Sequence, residues 1–380
     1  MEGVLSYNNQ EHHHQEQQQQ PKIKKNKNIK LGLLLLNCLL LSVGQVGGPL
    51  LLRLYYLHGG QRKWLTSWLQ TAAFPILLIP LFASWSNKSR SQSSTNSNPS
   101  STKQKFLLNP KLFIASAILG TLIGLDSFLF ALGLSYLPVS TSALLMATQL
   151  AFTSVFALLL VKQKFTPYSI NSVVLLTLGS IILGLHTSGD RPVGVSNGQY
   201  FLGFFMTLGA AALLGFILPS VEFAYAKACK VITYDLVIQM QFLVSMFATL
   251  LCTIAMIINK DFQAISREAK EYGLGEAKYY MVLIGAAILM QSMLVGNLGV
   301  IFCSTSLFSG VLLALLLPVQ QIFAIIFFNE KFNAEKGMSL ALSFWGFASY
   351  FYGEYKQTKK NNKLIISMTT HQHQEFPNVV

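Results

Sequence analysis

The sequence predicts an all-α membrane protein with ten transmembrane helices in two inverted five-helix repeats. Three observations lead to this fold class. The chain of 380 residues is 52% hydrophobic and only 11% charged, whereas a soluble domain is about 25% charged. The apolar residues are gathered into ten long runs. One stretch in the second half of the chain also repeats a stretch in the first half.

The ten apolar runs each have the length of a membrane-spanning helix. Roughly 20 apolar residues cross the hydrocarbon core, and a helix satisfies all its backbone polar groups internally. The eighth and ninth runs are separated only by a Cys-Ser-Thr turn, but their joint length is that of two helices. The predicted spans are 31–52, 64–84, 111–135, 139–161, 167–187, 200–226, 233–258, 279–302, 305–328 and 337–355.

The internal repeat appears when the chain is shifted by 167 residues. Residues 148–181 then lie on 315–348 without a gap, and eight of the 34 positions are identical, Gly179 and Gly346 among them. The shift corresponds to five helices, so an odd number of crossings inverts the second unit relative to the first. Inverted repeats are typical of secondary transporters, whose substrate site lies near the midplane between the halves.

The chain therefore divides into two repeats with polar segments around them. We predict a first repeat at 31–187 and a second at 200–355. Residues 1–30 are rich in glutamine and are predicted to be a disordered tail, as 86–109, rich in serine and asparagine, is predicted to be a disordered loop. Residues 356–380 form a polar, basic C-terminal tail.

The distribution of positive charge predicts the orientation. An even number of spans puts both tails and the 86–109 loop on one side, and that side carries 18 of the 28 lysines and arginines. The positive-inside rule places this side in the cytosol. The net charge of +13 mostly reflects this bias, and we expect no nucleic-acid partner.

Amides inside the apolar runs are the first candidates for substrate contact, because polar groups at membrane depth are costly. Gln320 and Gln321 lie side by side in "LLALLLPVQQIFAIIFF", pointing about 100° apart on a helix. Gln239, Gln149 and Gln291 lie in the seventh, fourth and eighth spans. An amide both donates and accepts hydrogen bonds, which suits a heterocycle. Bonding between helices is the alternative for each of them.

Two carboxylates are candidates for carrying a proton. Asp126 lies near the midplane of the third span, with Phe130 one turn further on as a candidate substrate contact and Gly120 and Gly124 beside it as a packing face. Glu222 lies near the end of the sixth span. A buried carboxylate can bind and release a proton; the alternatives are a structural hydrogen bond for Asp126 and solvation for Glu222.

Several classes of function are disfavoured. Apart from Arg53, no lysine or arginine lies within the predicted membrane core, so a phosphate-bearing substrate would lack a counter-charge. The spans hold no histidine cluster, aspartate pair or Ser/His dyad, which argues against a membrane enzyme. The four cysteines match no metal or redox spacing, and we expect neither metal nor cofactor. A receptor that binds without transport is disfavoured by the inverted repeat.

Long motifs in the chain carry a family resemblance. They include "GGPLLLRLYYLHGGQRKWLTSWLQTAAFPILLIPL", "GLDSFLFALGLSYLPVSTSALLMATQLAF" and "EKFNAEKGMSLALSFWGFASYFYGEYK". These motifs resemble the plant purine permease family, of the drug/metabolite transporter superfamily, and the similarity covers about 31–356. The resemblance implies ten helices in two inverted repeats. It also implies a proton-coupled importer of adenine, cytokinins or related heterocycles, with relatives that carry alkaloids or vitamin B6.

The chain departs from this family pattern at four positions. Members commonly carry glutamates where this chain has Gln321 and Gln239, an asparagine at Ser127, and a tryptophan at Met290. These amides cannot titrate. The alternative is therefore a permease for nicotine- or benzylisoquinoline-type alkaloids with altered or weak proton coupling.

The resemblance and the residues together give the expected cellular setting. We expect protons and a heterocycle as partners, membrane lipid around the chain, a plasma-membrane location, and a monomer or homodimer. The substrate site is expected between the third, fourth, seventh and ninth spans.

Overall fold

In the computed structural model, the described residues form helices joined by short turns and contain no strand. The predicted N-terminal tail and the 86–109 loop lie outside these residues. The described residues are 31–79, 81–82, 110–162, 166–185, 192, 194–228, 234–330 and 332–375.

The first half of the chain contains six helices. They are α1 (Leu31–Leu57), α2 (Lys63–Ala72), α3 (Pro110–Tyr136), α4 (Val139–Met146), α5 (Gln149–Val161) and α6 (Pro167–Leu185). Two predicted spans are interrupted. The second changes to a 3-10 helix at Phe74–Leu77, where Pro75 has no backbone N–H to continue the α-helical pattern. The fourth is divided between α4 and α5, where the Thr148 hydroxyl donates to the Leu145 carbonyl at 2.7 Å.

The second half contains another six helices. They are α7 (Asn197–Ala228), α8 (Tyr234–Ile258), α9 (Asp261–Glu271), α10 (Glu276–Cys303), α11 (Ser306–Phe328) and α12 (Ala334–Glu375). The Thr305 hydroxyl caps the start of α11 by accepting from the Phe308 N–H at 3.1 Å. The left-handed Asn329, at φ 49°, ends α11. Helix α9 was not predicted, and α12 continues well beyond residue 355.

Seven helices among the described residues are long and apolar enough to cross a membrane. Their length and composition establish an integral membrane protein. These spans are Leu31–Leu57, Pro110–Tyr136, Val139–Val161, Asn197–Lys227, Leu236–Ile258, Glu276–Cys303 and Phe308–Phe328.

The two halves pack face to face through closely spaced helices. Helix α3 lies against α7 and α8, α4 against α11, α5 against α7, and α6 against α12. Glycines permit the closest approaches: a Cβ on Gly120 would lie 2.5 Å from the Val244 carbonyl oxygen, and one on Gly124 would lie 2.9 Å from a Leu251 methyl carbon. The predicted packing face beside Asp126 is thus the face on which α3 meets α8.

A polar network at helix ends joins α4 to α11 and α12. Glu330, just after α11, accepts hydrogen bonds from the backbone N–H groups of Val139 at 2.8 Å and Ser140 at 3.1 Å, and from the Ser140 hydroxyl. The buried Lys336 ammonium donates to the same hydroxyl at 2.7 Å and lies 4.0 Å from the Glu330 carboxylate. The first turn of α4 is therefore held by residues of the second half.

A second network docks α9 against the first half. Arg62 forms ion pairs with Asp261 at 3.3 Å and with Glu268 at 3.6 Å. Glu268 also accepts hydrogen bonds from the Tyr55 hydroxyl and, at 3.4 Å, from the Tyr279 hydroxyl. Because Arg62 and Tyr55 belong to the first half and α9 to the second, this network also joins the halves.

Candidate binding cavity

A cavity with two lobes lies between the halves. Both lobes are lined by Gln70 of α2, Asp126 of α3, Leu214 of α7 and Met293 of α10. The lobes contain about 450 Å³ and 560 Å³ of empty space, and both figures include open solvent at the mouth of the lobe. The four shared side chains lie where the two lobes adjoin, and this place is called the junction below.

The first lobe combines amides with an aromatic ring and soft apolar walls. Gln45 of α1 and Gln320 of α11 join Gln70 and Asp126 as its polar groups, and Phe130 of α3 supplies the ring. The rest of the lining is Pro49, Met146, Leu214, Met290, Met293 and Leu317. Few polar groups within apolar walls are typical of small-molecule sites, and methionine adapts to flat ligands of different outline.

The second lobe is mostly apolar. Its own polar groups are Ser127 and Asn297, and the Asn297 side-chain oxygen already accepts from the Ser309 hydroxyl. The remaining lining residues that this lobe does not share with the first are Ile123, Ile217, Leu218, Val221, Leu294, Leu298 and Leu313. This lobe is therefore suited to an aliphatic part of a ligand.

Asp126 is the carboxylate of the cavity. No other acidic side chain lines either lobe within the described part of the chain, and its Oδ1 atom is buried without a hydrogen-bond partner there. A buried carboxylate oxygen without a partner is costly. Asp126 is thus placed to bind a donor group of a ligand or a proton.

The glutamine side chains of the cavity differ in the hydrogen bonds that they make. Gln70 is 6% exposed, and its Nε2 donates to the Ser127 carbonyl at 3.0 Å and to the Thr66 carbonyl at 3.4 Å. Gln320 is buried, and its Oε1 has no partner among the described residues. Gln45 makes no hydrogen bond in that same part of the molecule and is half-buried.

Three residues singled out from the sequence line this cavity: Asp126, Phe130 and Gln320. Gln321 lines neither lobe; it is fully buried, and neither atom of its amide has a hydrogen-bond partner within the described residues. The adjacent glutamines therefore have different surroundings, because consecutive residues of a helix point in different directions.

The other candidates lie outside both lobes. Gln291 donates to the Ser245 hydroxyl at 3.5 Å, and Gln149 is buried. Gln239 is half-buried on α8. Glu222 accepts from the Ser306 N–H at 2.9 Å and so caps the start of α11, where a negative charge is favourable. A substrate or proton role for these four residues stays a prediction.

Sequence reasoning missed three polar residues that line the cavity: Gln45, Gln70 and Asn297. Each lies within or beside an apolar run, so the rule that selected the other amides also applied to them. Their position at the cavity depends on how the helices are rotated, which a single sequence does not define.

The chain matches the family model described as purine nucleobase transmembrane transport over residues 32–360. It is 46% identical over 332 residues to purine permease 3 of Arabidopsis thaliana, covering 87% of this chain and 93% of that protein. It is 43% identical over 343 residues to purine permease 2 of the same plant, covering 87% and 94%. The chain belongs to the purine permease family.

Membership of the purine permease family settles the class of activity. The chain is a membrane transporter of purines and not an enzyme. A third relative, probable purine permease 11 of Arabidopsis thaliana, is 38% identical over 316 residues, covering 83% of this chain and 81% of that protein. The resemblance expected from the motifs is confirmed.

Proposed function

We propose that this chain is a proton-coupled importer of purine bases, cytokinins or related nitrogen heterocycles, and that the cargo binds in the two-lobed cavity. The observation that carries the proposal is the junction, where the buried, unpartnered oxygen of Asp126 lies among amides and beside Phe130. The amides match the donor and acceptor edge of a heterocycle, and the ring offers a face for stacking.

Proton coupling is assigned to Asp126. It is the group lining the described cavity that can exchange a proton, whereas the amides of Gln320 and Gln70 have one protonation state. Substrate and proton then bind next to each other. The binding of one can influence the binding of the other without any long-range communication.

The proposed architecture has ten spans in two inverted repeats. The seven long apolar helices are joined by three further crossings: α2 with the 3-10 helix that follows it, α6, and the first part of α12. The excess of positive charge on the side of the termini supports a cytosolic location for both tails. We expect insertion in the plasma membrane. We expect a monomer or homodimer.

A reciprocal contact between α6 and α12 supports the inverted repeat. A Cβ on Gly179 would lie 3.2 Å from the Ser339 hydroxyl oxygen, and one on Gly346 would lie 3.4 Å from the Ser172 carbonyl oxygen. Gly346 lies 167 positions after Gly179, and Ser339 lies 167 positions after Ser172. A two-fold axis between the halves would carry one contact onto the other, as in any isologous interface.

The starts of α4 and α11 support the same relation. Val139 and Ser306 are the first residues of these helices and are also 167 positions apart. Each first turn is capped by a glutamate from elsewhere in the chain, Glu330 for α4 and Glu222 for α11. Two helices in matching positions thus begin with the same kind of contact.

An alkaloid is the second candidate cargo. The mostly apolar second lobe and the methionines Met146, Met290 and Met293 of the first lobe would accommodate a bulkier ring system than a bare purine. In that case the neutral Gln320 amide would contact an ether or hydroxyl oxygen, and coupling to protons would be weak.

Uptake by purified protein in proteoliposomes tests these alternatives. Radiolabelled adenine, trans-zeatin, nicotine, a benzylisoquinoline and pyridoxine are compared with and without an inward proton gradient. We expect gradient-driven accumulation of adenine or zeatin. Accumulation of nicotine or the benzylisoquinoline without purine uptake would replace the first proposal by the second. Equal uptake with and without the proton gradient would contradict proton coupling.

A further inference from the structure

Gln70 occupies a position in the cavity that the other amides do not share. It lines both lobes and is 6% exposed, so its side chain lies at the junction beside Asp126. Helix α2, which carries it, also packs against α3, α8 and α10. A buried amide at such a junction has to satisfy one donor group and one acceptor group.

The two amide hydrogens of Gln70 are already used. Its Nε2 donates to the Ser127 carbonyl at 3.0 Å and to the Thr66 carbonyl at 3.4 Å. These bonds fix the orientation of the amide, because exchanging its nitrogen and oxygen would place the oxygen against two carbonyl oxygens. The side chain therefore acts as an acceptor only.

The acceptor of Gln70 is still available. Its Oε1 accepts no hydrogen bond within the described part of the chain, and the neighbouring Asp126 has its own unpartnered oxygen. Within the described residues, Gln45 and Gln320 make no such donor bonds, so they can present either end of the amide to a ligand. The junction thus presents two oxygen acceptors, one of them fixed in direction.

We propose that Gln70 is a specificity-determining residue that selects a ligand carrying an exocyclic amino group. This inference rests on the proposed function. An –NH₂ group on a purine ring has two hydrogens and can donate to Gln70 and Asp126 together. A purine without the amino group leaves both acceptors without a hydrogen bond. A 6-oxo purine places a carbonyl oxygen, itself an acceptor, against them. Each mismatch weakens binding.

A bond that only holds α2 to α3 is the competing explanation of Gln70. In that case, removing the amide lowers the amount of folded protein and affects all substrates equally. Specificity predicts instead that the preference among substrates changes. The ratio of apparent affinities for adenine and for unsubstituted purine separates the two explanations, since it does not depend on the amount of active protein.

The test compares Gln70→Met with wild type and with Gln241→Met. Methionine keeps the length of the side chain without the acceptor. Gln241 is a matched control because it is also buried, donates to the Ser245 hydroxyl at 2.8 Å and lines neither lobe. Competition of unlabelled adenine, purine and hypoxanthine against labelled adenine uptake gives the ratios. We expect Gln70→Met to reduce the preference for adenine over purine by about tenfold, and Gln241→Met to retain it.

Each outcome decides the inference. An unchanged adenine preference in Gln70→Met overturns it while leaving the proposed function intact. Wild-type protein that carries no purine overturns the proposed function and this inference with it. If Gln70→Met does not fold, Gln70→Asn is measured in the same way. Its side chain is one methylene shorter, so its amide oxygen lies further from the ligand. If neither variant folds but Gln241→Met does, Gln70 is a structural bond and the inference is wrong.

Discussion

At the scale of single residues, substrate binding depends on which buried polar groups face the cavity. Gln320 and Gln321 are neighbours in the chain and are equally buried, yet only Gln320 lines a lobe. The sequence predicted that at least one of this pair contacts the substrate, and the family pattern favoured Gln321. That distinction depends on the rotation of α11 against its neighbours. Asp126 was predicted from its isolation in an apolar run.

The two glutamines give a direct comparison. Gln320→Leu removes a polar contact in the first lobe, so we expect apparent substrate affinity to fall by about 1–3 kcal/mol. Gln321→Leu removes an amide that has no hydrogen bond within the described residues, so affinity should stay the same and thermal stability should be equal or higher. Concentration-dependent uptake, normalised to surface protein, measures both. A larger loss of affinity in Gln321→Leu would show that the wrong amide was assigned to the cavity.

At the scale of elements, the apolar spans were predicted and the polar connections were not. Helix α9, with the sequence "DFQAISREAKE", is too polar and too short to be found in a search for membrane spans. Only the structure shows this helix, which packs against α1 and α10. The interruptions at Pro75 and at Thr148 also follow from local contacts that an apolar pattern does not record.

The Glu330 network should stabilise the junction of α4, α11 and α12. Glu330→Ala would leave two backbone N–H groups of α4 without this acceptor and remove a carboxylate from beside the buried Lys336. We expect a loss of about 3 kcal/mol of unfolding free energy. Glu276→Ala is the control, because Glu276 is an exposed acidic residue in the first turn of α10. Denaturation in detergent measures both, and equal losses would contradict a specific role for the network.

The α9 docking network should depend on pH. Burial raises the pKa of Glu268 above its ordinary value, against the opposing effects of the Tyr55 hydroxyl, the Arg62 charge and the Tyr279 hydroxyl. A raised pKa in the folded state means that this contribution to stability is complete below the ordinary glutamate pKa and is lost as pH rises through the folded value. Hydrogen exchange of α9 should therefore become faster, relative to its intrinsic rate, as pH rises through that window. Glu268→Gln should remove this dependence, and an unchanged dependence in that variant would assign it to another group.

At the scale of the whole molecule, two halves meet around a cavity. Networks of hydrogen bonds and ion pairs at the helix ends join them. The repeat offset of 167 residues, visible in the sequence, matches the reciprocal contact of Gly179 with Ser339 and Gly346 with Ser172. The sequence could predict an all-helical membrane protein and three of the residues that line the cavity, Asp126, Phe130 and Gln320. It could not predict Gln45 or Gln70 as cavity residues, because their placement depends on packing between distant helices.

We expect Asp126 to couple proton movement to substrate transport in this cavity, and gradient-driven accumulation by Asp126→Asn protein measures this coupling. In proteoliposomes with an inward proton gradient, wild-type protein should concentrate adenine until a protonophore is added. Asp126→Asn should still exchange labelled for unlabelled adenine but should not concentrate it. Glu222→Gln tests the second carboxylate predicted from the sequence, which caps α11 outside both lobes. Wild-type accumulation by Asp126→Asn, with loss of accumulation in Glu222→Gln, would assign the coupling to Glu222 and contradict the role of Asp126.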